Sequence, residues 1–355
     1  MVFVFPGLVQ NGRLVDAASA TFCSWLSLGL VLEVRVRLIV DADPGIDDAL
    51  ALLYLAAQGG VEIVAVGSVH GNGPAAQTAA NARHVLGLGG LPEVPVAVGA
   101  WRPLAQPLET AEFVHGPDAL GGHGVPISGD VRGESAAEQL VRLARANPGE
   151  LTLLALGPLT NVALALLLEP DLPRLLRAVV VLGGAIGVPG NLTAHADANF
   201  YHDPEAADLV LGAGFTLTLI GLNVTEAARA DGAWLDALST SDNPRARFAT
   251  AVLAHYAAFY TNMFGVRVAT LHDPLAAAMA LDPGLGTYEQ MVVGVELAGT
   301  HTRGQTLTDL RRLSSDVHIA SSLAGGRPPV SVAMTVDAQA FLDRLFAALT
   351  RPLQP

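Results

Sequence analysis

From Arg37 onward, short runs rich in valine, isoleucine and leucine alternate with longer segments of helical character. Arg37–Val40, Val61–Val69, Val94–Val98, Leu151–Ala155, Ala178–Leu182 and Thr216–Ile220 read as strands. Ile46–Gln58, Ala75–Leu88, Ser135–Ala146, Leu159–Leu168 and Pro204–Leu211 read as the helices between them. Such alternation predicts right-handed βαβ units and an α/β fold: an open, mostly parallel, Rossmann-like sheet with helices on both faces. The composition agrees, since 51% of the residues are hydrophobic and only 15% charged, as strands buried on both faces require.

Two loops interrupt the alternation, Gly99–Arg132 and Gly183–Phe200. After Ala230 the pattern is more helical, with helices expected over Arg245–Tyr260, Pro274–Leu281 and Ala338–Leu349. Met291–Leu297 and Val330–Val336 read as late strands. No internal repeat or low-complexity linker divides residues 37–355, which are read as a single domain. Residues 1–36 show no clear period and read as an N-terminal extension, either non-native, with translation starting near Val34 or Val36, or poorly ordered. They make a poor signal peptide, because Arg13 is the only early cation and no small-x-small cleavage site follows the apolar part.

Several partners are excluded by composition. A net charge of −13 argues against nucleic acid, which would want a basic face. Leu151 to Leu168 carries no formal charge, but Gly157-Pro158 breaks it, so it reads as strand, turn and helix, and no membrane partner is expected. The single cysteine, Cys23, rules out an intrachain disulfide or a cysteine-based zinc site and is compatible with a cytoplasmic protein.

In open α/β sheets, ligands bind beyond the carboxyl ends of the strands. Asp43, Asn72, Leu156, Gly183 and Asn223 each fall just after a predicted strand, so the fold would gather them at one crevice. The first strand end is the most charged: Asp41, Asp43, Asp47 and Asp48 surround the turn Pro44-Gly45. Carboxylates this close repel one another unless a cation or a proton separates them. An ordinary helix start with solvated acids explains one or two of them, but not four. Oxygen-only ligands point to Ca²⁺ or Mg²⁺, not zinc. His272-Asp273-Pro274, before a helix-like run, offers a further carboxylate and an imidazole suited to proton donation; alone it reads as a plain helix start. The loop from Gly183 to Glu205 is rich in amides and carboxylates, which suit a polyhydroxylated ligand such as a sugar. Within it, Asp203-Pro204-Glu205 reads as the start of the next helix.

Asp41-x-Asp43-Pro44-Gly45-x-Asp47-Asp48 is a specific fingerprint, and with it the chain resembles the inosine–uridine-preferring nucleoside hydrolases from about Leu38 to its C-terminal region. Supporting stretches are Gly71-Asn72, His115-Gly116, Gly157-Pro158-Leu159-Thr160-Asn161, Gly183-Gly184, Gly190-Asn191, His272-Asp273-Pro274 and Thr302-Arg303-Gly304-Gln305-Thr306, the last with no catalytic role assigned. The resemblance implies the nucleoside hydrolase fold and a Ca²⁺-dependent N-ribohydrolase. A metal-bound water would cleave the N-glycosidic bond through an oxocarbenium-like transition state, releasing ribose and nucleobase. It implies that Asp43, Asp48 and Asp273 ligate Ca²⁺ by side chain and Leu156 by its backbone carbonyl, with Asp43 also the general base. Asp47, Asn72, Asn191, Asp197, Asn199 and Asp273 would hold ribose or orient the site. His272 would protonate the leaving base, His115 would lie near it, and Asp41 would brace the turn. A homodimer or homotetramer acting in nucleoside salvage is also implied.

The chain departs from the family pattern at three places: Asp197 where glutamate is usual, Ala198 where an aromatic residue is usual, and Asn223 where aspartate is common. These departures raise two alternatives, a hydrolase of a modified or bulkier nucleoside and a Ca²⁺-dependent nucleoside- or ribose-binding protein with little turnover. Tyr256–Phe264 would either close over the base or pack on the core. Haloacid dehalogenase-like phosphoryl transfer is disfavoured, because Pro44-Gly45-Ile46 stands where that chemistry needs a different turn.

Overall fold

The computed structural model describes residues 36–127, 133–311, 323 and 326–352. The expected extension over 1–36 therefore lies almost wholly outside the described residues, as does Cys23. Eight strands form one sheet in the order β3-β2-β1-β4-β5-β6-β12-β9. They are β1 (Val36–Ala42), β2 (Val61–Ser68), β3 (Val96–Val98), β4 (Thr152–Ala155), β5 (Ala178–Leu182), β6 (Leu217–Ile220), β9 (Gly286–Met291) and β12 (Val330–Val336). Every neighbouring pair is parallel except β12 with the edge strand β9.

Alternation along the strands assigns the two faces. Leu38, Val40, Leu154, Val180 and Leu182 point into one core, Ile39, Leu153, Ala155, Val179 and Val181 into the other. The first core is closed by α1 (Ile46–Ala56), α11 (Pro244–Phe264), α12 (His272–Leu281) and α13 (Ala338–Thr350). The second is closed by α4 (Ala136–Ala146), α5 (Thr160–Leu168) and α8 (Pro204–Leu211). Helix α1 is buried along nearly its whole length, so beyond Asp47 and Asp48 in its first turn its residues are apolar all round instead of in a stripe. Helix α2 (Ala75–Leu88) follows β2, and the two stretches expected as loops each hold a short helix, α3 (Glu112–His115) in the first and α7 (Ala198–His202) running out of the second. The remaining helices are α6 (Leu172–Leu175), α9 (Leu222–Thr225) and α10 (Gly232–Ser239).

Two small antiparallel pairs complete the described structure: β7 (Arg229–Asp231) with β8 (Val268–Thr270), and β10 (Val293–Val295) with β11 (Thr306–Thr308). The expected strand Met291–Leu297 is corrected here. Its residues belong to two strands, because β9 pairs with β12 in the main sheet whereas β10 turns away to pair with β11. The expected helix Arg245–Tyr260 runs on to Phe264, where Gly265 ends it at a left-handed φ of 72°. Among the described residues no helix is long and apolar enough to cross a membrane.

Candidate active site

Strand order reverses at β1, whose neighbours are β2 on one side and β4 on the other. A crevice is expected at such a switch point. A cavity of about 720 Å³ opens there, with Asp43 beyond β1 and Leu156 beyond β4 in its wall. The loops after β2 and β5 supply Asn72, Asn191 and Asp197, the short helices α7 and α9 supply Asn199 and Asn223, and the start of α12 supplies His272 and Asp273.

Four buried carboxylates form the floor: Asp43, Asp47, Asp48 and Asp273. Oxygens of Asp47, Asp48 and Asp273 lie within 4.8 Å of one another. Asp47 and Asp48 occupy the first turn of α1, where the helix dipole favours negative charge. Asp48 Oδ2 accepts from Gly45 N at 3.0 Å and Asn72 Nδ2 at 2.9 Å, and Asp48 Oδ1 is buried without a hydrogen-bond partner. Asp43 Oδ2 accepts from the Asn72 amide at 2.7 Å. Its carboxyl rests between two glycines, since a Cβ on Gly71 or Gly157 would stand 2.0 or 2.4 Å from its oxygens. Gly71 also has a φ of +151°, so the cradle depends on glycine twice over.

Burial raises the pKa of all three expected carboxylate ligands, and mutual repulsion adds to it. Asp43 is raised by desolvation and then by Asp48, Asp48 by desolvation and then by Asp47, and Asp273 by desolvation and then by Asp47 and Asp48. Convergent buried oxygens, one of them lacking any donor, could hold a hard cation. Asp41 lies beneath them, its Oδ1 accepting from Asn161 Nδ2 at 2.8 Å; burial lifts its pKa to about 7.

The residues expected to hold a sugar reach the cavity, but they also pin its wall. Asp197 caps α7: its Oδ1 accepts from Phe200 N at 2.9 Å and from Gly184 N at 2.8 Å. Asn191 Oδ1 accepts from Ala198 N at 2.9 Å. Asn199 Nδ2 donates to the Leu156 carbonyl at 2.5 Å and the Leu182 carbonyl at 3.1 Å, bridging the ends of β4 and β5. Asn223 donates to the Ala333 carbonyl at 2.7 Å, and its Oδ1 is buried without a partner. The Thr302–Thr306 segment acts as a brace, with Arg303 forked onto Glu205 at 2.7–2.8 Å and Thr306 Oγ1 accepting from Ala185 N.

Opposite the sugar side, α11 contributes a connection that sequence reading missed. Tyr256 donates to Asp47 Oδ2 at 3.1 Å, and Tyr260 stands 3.5 Å away, donating to Tyr256. Tyr260 oxygen is then left to accept from His272 Nε2 at 3.2 Å, and His272 Nδ1 meets Thr225 Oγ1 at 2.8 Å. The signal available in sequence was the tyrosine pair at i and i+4 on one helix. His115 Nδ1 accepts from the Ile46 amide at 3.1 Å, and burial pushes its pKa down to about 4, so the ring is neutral with its hydrogen on Nε2. Of the two alternatives for Tyr256–Phe264, core packing is seen over part of the segment. Tyr256 and Tyr260 are buried core residues that face the cavity, whereas Met263 and Phe264 are exposed at its mouth beside Phe113.

The sequence profile described as inosine-uridine preferring nucleoside hydrolase matches residues 38–343. A probable uridine nucleosidase 2 from Arabidopsis thaliana is 36% identical over 320 residues, covering 88% of this chain and 98% of the relative. Among solved structures, a plant nucleoside hydrolase superposes with a TM-score of 0.84 at 33% identity, covering 89% of this chain and 99% of the other. A purine-preferring ribonucleoside hydrolase from Gardnerella vaginalis gives 0.78 at 29% identity, covering 88% and 98%.

Proposed function

Because the chain belongs to the inosine–uridine preferring nucleoside hydrolase family, we propose that it hydrolyses the N-glycosidic bond of ribonucleosides with Ca²⁺ as cofactor. The observation that carries this reading is the set of buried carboxylates at the switch point, with Asp43 cradled between two glycines. Asp43, Asp48, Asp273 and the Leu156 carbonyl would hold the cation, which when bound lowers the pKa of water and offsets the clustered negative charge.

Asp43 takes the proton as water adds to the anomeric carbon. Asp47, Asp273, Asn191, Asp197 and Asn199 hold the ribose, and Asn72 orients Asp43 and Asp48 through its two hydrogen bonds. Asp47 lies as close to Asp48 and Asp273 as a ligand would, but Tyr256 already engages its Oδ2, which leaves its other oxygen for the sugar. As the C–N bond breaks, positive charge on the sugar faces carboxylates fixed in place, and a preorganised field of this kind needs no reorganisation. The departing base takes its proton from His272, with Tyr260 and Tyr256 linking that side to Asp47. His115, neutral and tilted against Tyr256 at 5.4 Å, closes the wall near the base.

A second reading of the substrate, a nucleoside with an enlarged base, is favoured by the mouth. Phe113 and Met263 are 64% and 53% exposed there, and the Arg229 guanidinium lies 4.8 Å over the Phe264 ring. Hydrolysis in ¹⁸O-labelled water tests the reaction. The label is expected in the ribose C1 hydroxyl and not in the base; an unlabelled ribose would contradict the proposal.

A further inference from the structure

Outside the cavity, three wholly buried polar side chains form a line that the proposed chemistry does not use. His70, Thr160 and Asp203 are 0%, 1% and 0% exposed. Thr160 Oγ1 donates to Asp203 Oδ2 at 2.6 Å, and His70 Nε2 stands 3.1 Å from the same hydroxyl. Asp203 Oδ2 also accepts from Leu104 N at 3.0 Å, and its Oδ1 accepts from Ala206 N at 3.1 Å as the cap of α8. A hydroxyl has one hydrogen, and Asp203 takes it, so His70 must be the donor from Nε2. The direction is fixed: His70 to Thr160 to Asp203. The sequence pattern accounted for Asp203 as a helix start, which is half of its role.

Each member sits beside a piece of the Asp43 cradle. His70 precedes Gly71, Thr160 opens α5 at the end of the turn that begins with Gly157, and Asp203 closes α7, the helix that carries Asn199. The glycines whose Cα atoms face Asp43 are therefore on loops fastened to each other through His70 and Thr160. The loop that holds the Leu156 carbonyl through Asn199 is fastened to the same point through Asp203. We propose that His70, Thr160 and Asp203 are positioning residues: a buried tie that sets the width of the Asp43 cradle and the place of the Leu156 carbonyl, and thereby tunes cation affinity and turnover. This rests on the roles given above to Asp43 and Leu156.

The test is calorimetric titration of CaCl₂ into the full-length, chelator-treated protein, beside metal-free Tm and ribonucleoside kinetics. Thr160→Val removes donor and acceptor at nearly constant volume, Thr160→Ser restores both, and Asp203→Asn keeps the helix cap but removes the anion. The Val and Asn variants are expected to bind Ca²⁺ about 10–100-fold more weakly, with lower kcat and KM changed little; the Ser variant is expected to match wild type. If Thr160→Val does not fold, Asp203→Asn carries the same comparison. Variants that lose Tm but keep wild-type Ca²⁺ affinity and kcat would reduce the tie to ordinary packing. Wild-type protein that takes up no Ca²⁺ would overturn the cation reading and, with it, the role given to the tie; wild type that binds beside variants binding equally overturns the tie alone.

Discussion

Aspartate residues in this site are distinguished by what surrounds each one, not by their type. Asp43 keeps its geometry through the Asn72 amide, so Asp43→Asn should fold normally. It removes the proton acceptor, and kcat is expected to fall by about 10²–10⁴-fold, as steady-state kinetics will show. Burial also gives a pH signature. With no cation bound, Asp41, with a pKa of about 7, and Asp43, Asp48 and Asp273, raised in the same direction, keep protons in the folded state to higher pH than in the unfolded chain. Their stabilising contribution is complete below the ordinary aspartate value of 3.8 and is lost as pH rises through their folded values. His70, His115 and His202 are lowered from 6.5 and act in the opposite sense, but only below that pH. Above about 6.5 the carboxylates act alone, so the Tm of chelated protein should fall towards pH ~8, and Ca²⁺ should remove the fall. A chelated Tm that rises over this window would contradict it. Asp43, Asp47 and Asp48 were legible in sequence because they share one contiguous turn, whereas Asp273 joins them from the start of α12. What was not legible is which oxygen lacks a donor.

Elements show where local patterns stop being informative. Strands β1–β6 and helices α1, α2, α4, α5 and α8 could be placed because each apolar run ends at a turn that the sequence marks; the short α3, α6 and α7 have no such run and were not read. The run at Met291–Leu297 looked continuous because pairing partners, not local propensity, decide where it divides. Asp197 shows how an element explains a residue. As the cap of α7 it suits aspartate, whose short side chain reaches the Phe200 amide, and glutamate is not a preferred cap. Asp197→Ala should cost about 0.5–2 kcal/mol of stability and raise KM, whereas Asp197→Asn should keep the cap; denaturant unfolding separates the two. On α11, Tyr256→Phe removes the donor to Asp47. A hydrogen bond to a charged group contributes about 1.5–3 kcal/mol, so KM for ribonucleosides should rise roughly tenfold or more. An unchanged KM would detach α11 from the sugar side.

At the scale of the molecule, the sheet order brings together what the chain keeps apart. Asp43 and Asp273 meet because β1 lies at the switch point and α12 packs across α1. The strand–helix alternation already implied that Asp43, Asn72, Leu156, Gly183 and Asn223 would converge, and the shared fingerprint, which named the family, brought in Asp273. Neither revealed the tyrosine connection to His272 or the buried tie beside Asp43, since both depend on tertiary contacts between elements far apart in the chain. A site that hydrogen-bonds substrate hydroxyls should reject analogues lacking them, so 2′-deoxynucleosides are expected to lose about 10⁴–10⁵-fold in kcat/KM. Comparing plain nucleosides with ones carrying bulky apolar base substituents will show whether the open mouth widens the substrate range. The central claim, that the buried carboxylates form a cation-dependent ribohydrolase centre, is tested most directly by assaying free ribose from a ribonucleoside panel before and after chelation. The expected result is release that stops with chelator and returns with Ca²⁺; release unaffected by chelation, or none from any ribonucleoside, would contradict it.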